Sequence, residues 1–169
     1  MKKQISTEQT DANIAEVLRL LGETPVKLAA LSKGLSEKQL HTPLGSGERS
    51  FTEILAHLIN TEALTSEAIY LALLLNEPLI ANLHAERDLG ALLRFELLPF
   101  QELLAYFRLR RTVLTRVLEL LSEKQWSRSS REGKKQRKES VYWRARGQAL
   151  HELEHLQDLE NKVNQKSYQ

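Results

Sequence analysis

Leucine occurs 33 times in this 169-residue chain, against six valines and six isoleucines. Leucine loses little rotamer freedom in a helix, whereas the branched residues that favour strands are scarce here. Only seven glycines and four prolines interrupt the chain. The apolar residues must therefore be gathered on long helical faces, which predicts an all-α protein. A composition of 41% hydrophobic and 27% charged residues is that of a folded chain, not a disordered one. Its length suits one domain spanning residues 1–169.

Several function classes drop out at this level. Cysteine is absent, which excludes a disulfide scaffold, a thiolate metal site and a cysteine nucleophile. The longest apolar run, Ala68 to Leu75, has eight residues, where a membrane span needs about 20. Polar residues follow Met1-Lys2-Lys3 directly, so no secretory segment is expected and the cytoplasm is the expected location. Lys and Arg total 24 against 22 Asp and Glu, a net charge of +2. That balance calls for neither nucleic acid nor an anionic membrane as partner.

Helical periodicity and punctuation divide the chain. Ile14, Val17, Leu18 and Leu21 share one face of a first segment, 8–21. Thr24-Pro25 then predicts a new helical start or a kink, leading into 25–33. Ser36 to Leu40 reads as one short turn. Ser50-Phe51-Thr52-Glu53 is a capping box, in which Ser50 and Glu53 satisfy two otherwise unpaired backbone donors. The helix behind it should run to about Asn76. Residues 79–97 read as loosely helical, and a third long helix is expected over 99–121. The polar stretch 122–139 reads as a mobile loop, and the last helix as 141–165. Long amphipathic helices with short connections predict a four-helix bundle.

Five histidines occur: His41, His57, His84, His151 and His155. His151 and His155 are four residues apart, which on a helix places their Cβ atoms about 5–6 Å from each other. Chance produces such a pair in roughly one chain in nine, so the spacing alone is a weak motif. On the helical wheel the pair lies nearly opposite Leu153, on a stripe with Arg144, Gln148, Asp158 and Lys162. It is either an exposed pair on a solvated face or an open metal site in a groove beside the core. His57 sits at the edge of the second long helix's apolar stripe, where a neighbouring helix approaches. One His from that helix and two from the last give three nitrogens with open coordination positions, the pattern used when a metal must also bind water or substrate. Glu62 lies about 140° around the helix from His57, which argues against shared metal ligation; it reads as a buried ion pair with Arg110 or Arg111 sooner than as a catalytic base. Asp158 reads as a hydrogen-bond acceptor for a ligand imidazole or as a surface acid.

The stretch Gly47-Glu48-Arg49-Ser50-Phe51-Thr52-Glu53-Ile54-Leu55-Ala56-His57-Leu58, with Glu62 after it, resembles the second-helix signature of the DinB-like metal-binding bundles. Leu150-His151-Glu152-Leu153-Glu154-His155-Leu156 is similar to their last-helix signature. Leu28 to Leu40, Arg111 to Leu121 and Trp126-Ser127-Arg128 also fit, so the resemblance spans about 25–160. It implies a DinB-like fold in which His57, His151 and His155 bind a divalent metal. Three neutral imidazoles suit zinc, nickel or iron(II). Many relatives carry Trp where Arg49 stands and Gln where Asp158 stands.

The resemblance implies a metal-dependent enzyme that activates a low-molecular-weight thiol or water, as a transferase or a hydrolase, on a small-molecule substrate. The substrate would enter between the second and last helices; no general base is identified. The alternative is a non-catalytic, stress-associated metal-binding or interaction protein. A third reading rests on residues 128–146, where eight Arg or Lys accompany two Glu and the pair Tyr142-Trp143. Such a segment can bind phosphates, but no nucleic-acid motif is present and a solvated loop is the commoner role. The apolar sector of the last helix is about 200° wide, more than one neighbour requires, which predicts a homodimer.

Overall fold

Side-chain caps fix where most of the helices begin. In the computed structural model, which describes residues 5–133 and 137–166, Thr10 Oγ1 accepts from the Asn13 amide at the start of α1 (Asp11–Leu31). Ser36 and Gln39 form a capping box on α2 (Glu37–His41). Ser50 and Glu53 form the expected one on α3 (Phe51–Leu74). A π-helical turn, Ala85–Gly90, runs into the short α4 (Ala91–Leu93). Behind Pro99 comes α5 (Phe100–Glu119), and Ser122 with Gln125 caps α6 (Glu123–Trp126). The chain closes with α7 (Val141–Lys166).

The four long helices form a bundle in which α1 packs on α5 and α7, and α3 packs on the same two. Consecutive long helices α1 and α3 therefore lie across the diagonal. Among the described residues no helix is long and apolar enough to cross a membrane.

Two expectations are corrected. Of the two outcomes expected at Thr24-Pro25, a new start does not occur; α1 continues through Pro25 as one helix. Proline has no N–H to give the carbonyl four residues back. That carbonyl, Leu21 O, instead accepts from Arg111 Nη1 of α5 at 3.2 Å, so the missing intrahelical bond is replaced across the bundle. The second correction concerns 122–139, read as a mobile loop. It holds α6 and an antiparallel hairpin of β2 (Ser129–Glu132) and β3 (Lys138–Ser140), with β1 (Leu79–Ile80) paired parallel to β2. Buried Ser130 accepts from Arg144 Nε at 2.9 Å, which ties the hairpin to α7. Lys134, Lys135 and Gln136 of the basic segment lie outside the described residues. Neither hairpin strand contains a β-branched residue, so pairing and tertiary contacts hold them, not propensity.

The core falls into two apolar halves. Val17, Leu21, Ile69, Leu114, Leu118 and Tyr142 belong to one, and Leu28, Leu55, Leu58, Leu103, Phe107 and Leu156 to the other. Between them, at corresponding heights on α3, α5 and α7, lies a polar layer of Glu62, Ser66, Arg110, Arg111, Gln148 and Glu152. Glu62 takes a forked pair from Arg110, at 3.0 Å from Nε and 3.4 Å from Nη2. Fully buried Glu152 accepts from Arg111 Nη2 and, at 2.8 Å, from Gln148 Nε2. Both arginines foreseen as partners for Glu62 are thus in the layer, but each serves its own carboxylate. The buried face of α7 consequently centres on Ala149, Glu152 and Leu156, not on half-buried Leu153. Its wide apolar sector is shared between α1 and α3.

Candidate metal centre

Three of the five histidines converge, and the other two serve as local caps. His41 Nδ1 lies 3.0 Å from the Glu37 carbonyl at the end of α2. His84 Nδ1 accepts from the amides of Glu86 and Arg87 and so starts the π-helical turn. His57, two turns into α3, faces His151 and His155, one turn apart on α7. The Nε2 atoms of His57 and His151 are 3.1 Å apart, and those of His151 and His155 are 3.2 Å apart. One ligand atom from each ring lies within 4.8 Å of the others. All three are half-buried in the groove between α3 and α7, so the exposed-pair reading of His151 and His155 is set aside.

The donor set fits a divalent cation. An ion about 2.1 Å from each imidazole nitrogen needs neighbouring nitrogens about 3.0 Å apart at a right angle and about 3.4 Å apart at the tetrahedral angle. The two observed separations fall within that interval. Burial is the main cause holding each ring below the ordinary imidazole range, and His155 is pushed down to about 4. The charge of Arg49 acts in the same direction on all three. The rings are therefore neutral at pH 7, as ligands must be.

Sequence reasoning missed Glu86. Its Oε1 forms a short contact with His57 Nδ1, so Nδ1 carries the proton and donates it, leaving the Nε2 lone pair to face the other rings. A carboxylate behind a ligating imidazole fixes both tautomer and ring orientation. Of the two roles open to Asp158, acceptor for a ligand imidazole or surface acid, the structure shows the second: it is exposed and acts on His155 through its charge. No local pattern marks Glu86, because the turn that carries it is 29 residues from His57 in sequence. His57 and Glu86 both line a cleft of about 440 Å³ between α3 and the turn 85–96.

Depressed imidazoles make stability depend on pH. An unfolded histidine takes up its proton near pH 6.5, whereas folded His155 does so only near 4. Between these values the unfolded chain binds more protons, so stability falls as pH falls. The metal-free protein is expected to unfold at progressively lower urea concentration from pH 7 to 4.5, with His155→Gln flattening the slope. A midpoint that ignores pH over this interval contradicts the arrangement.

A sequence model described as the DinB superfamily matches residues 20–159. The chain belongs to the DinB superfamily. Among solved structures, this DinB-superfamily chain is similar to YfiT from Bacillus subtilis, with a TM-score of 0.85 and 16% identity. The alignment covers 98% of this chain and 94% of that one. YfiT is described as a probable metal-dependent hydrolase with an unusual four-helix bundle topology; at this identity the likeness establishes the shared fold. A search of curated proteins finds no match.

Proposed function

We propose that this DinB-superfamily protein is a metal-dependent enzyme whose ion is held by His57, His151 and His155 and whose small-molecule substrate occupies the adjoining cleft. The observation that carries the reading is the convergence of three neutral imidazoles, from two helices, beside a cleft that His57 itself lines. When bound, a divalent ion supplies Lewis acidity that makes water or a low-molecular-weight thiol a nucleophile near neutral pH. The chain's own residues do the rest: Glu86 orients His57, burial keeps the rings unprotonated, and α3 and α7 fix their spacing. The description of YfiT as a probable hydrolase favours water as the nucleophile; a thiol would use the same centre.

Protein purified without chelator or nickel resin should carry one divalent ion per chain by elemental analysis. It should then turn over either an ester and amide panel, or an electrophile with a small thiol, losing activity on chelation and regaining it on metal addition. Metal-replete protein that turns over neither panel would be a metal-binding protein without catalysis. Glu86→Gln is expected to weaken metal binding by about 10–100-fold, read by competition with a chromophoric chelator. Unchanged affinity would remove Glu86 from the site.

A further inference from the structure

We propose that the cleft beside His57 takes a substrate bearing one carboxylate, gripped by Arg49, with the Asn60 amide hydrogen-bonding the body of the molecule. This rests on the reading above, since it names the class of molecule presented to the triad. A volume of about 440 Å³ is within the range of small-molecule sites.

Asn60 follows His57 by three residues on α3 and lines the same cleft. It is 3% exposed, and its Oδ1 is buried with no hydrogen-bond partner among the described residues. Buried amides are nearly always paired, so an unpaired one beside a cleft marks where a ligand group completes the network. Gly90 covers this amide: a Cβ there would stand 3.5 Å from Asn60 Nδ2 and 3.3 Å from the Ala85 carbonyl.

Arg49 supplies the charge. Its nearest carboxylate oxygen, Glu86 Oε1, is 3.7 Å away and already engaged by His57. The cleft's other arginine, Arg94, is hydrogen-bonded to Glu96. Beyond its long ion pair with Glu86, the Arg49 guanidinium makes no side-chain hydrogen bond among the described residues, so its planar fork is open to a carboxylate. Three glutamates against two arginines line the cleft. That excess of acid opposes any anion and a phosphate dianion more than a monoanion, so the single carboxylate depends on a direct hydrogen-bonded pair with Arg49.

The test uses metal-free, isotope-labelled protein, so it stands whether or not the triad loads. N-acetylglycine, its neutral counterpart N-acetylglycinamide, and inorganic phosphate are titrated at constant ionic strength while the Arg49 Nε–H and Asn60 side-chain resonances are followed. N-acetylglycine should bind about tenfold tighter than the amide, as expected for a hydrogen bond to a charged group. Arg49→Met should abolish that preference, with the rest of the spectrum superimposable. Asn60→Ala should weaken acid and amide alike and leave their ratio intact. Equal affinities, tighter phosphate binding, or no saturable shift overturns the proposal. Protein that passes this test yet binds no metal would keep the carboxylate site and lose the enzymatic reading.

Discussion

His151→Ala should reduce divalent-metal affinity by on the order of a thousandfold or more and eliminate metal-dependent turnover, while the bundle stays folded. His151 is the shared vertex of the triad, its Nε2 lying 3.1 Å from that of His57 and 3.2 Å from that of His155. Structural zinc sites bind with about 10–16 kcal/mol in total, so losing the central one of three protein ligands removes several kcal/mol. Alanine is the best helix former, and His151 is only half-buried, so α7 should persist. Elemental analysis, a chelator competition and far-ultraviolet circular dichroism check the three parts. Full metal occupancy in the variant would show that the imidazoles do not act as one ligand set.

Arg111→Met should cost about 3–5 kcal/mol of stability, because it leaves a fully buried carboxylate without its charged partner. It also orphans the Leu21 carbonyl that Pro25 leaves free. Replacing the pair together, Arg111→Met with Glu152→Leu, removes the stranded charge and should recover most of the loss. Adding Pro25→Ala to Arg111→Met restores an amide four residues after Leu21. That change should stabilise the Arg111→Met protein more than the original one, a coupling expected only between residues sharing a partner. Urea denaturation of the variants measures each term. A double variant as unstable as Arg111→Met alone would mean that the layer's packing, not its charge, holds α5 against α7.

The candidate site was legible where short-range rules apply. His57 could be placed because the Ser50–Glu53 capping box fixes the start of α3, and His151 and His155 because four residues make one helical turn. Glu86 was not legible: it reaches His57 only after an irregular turn folds back on α3. The polar layer was half legible. Glu62 on an apolar stripe signalled a buried pair, but Arg110 and Arg111 are adjacent in sequence, and the packing of α5 decides which carboxylate each meets.

By itself the sequence determined that the chain is helical, where its best-capped helices begin, and that His151 and His155 share one helix face, since these depend on residues within about one turn of each other. Tertiary structure alone decided that α1 and α3 lie diagonally, that serine-containing segments pair as strands, and that Glu86 rather than Asp158 supports the triad. Those outcomes depend on groups beyond one helical turn of each other, such as His57 and Glu86, 29 residues apart, whose meeting is set by which packed arrangement buries the most apolar surface while pairing the charges it encloses.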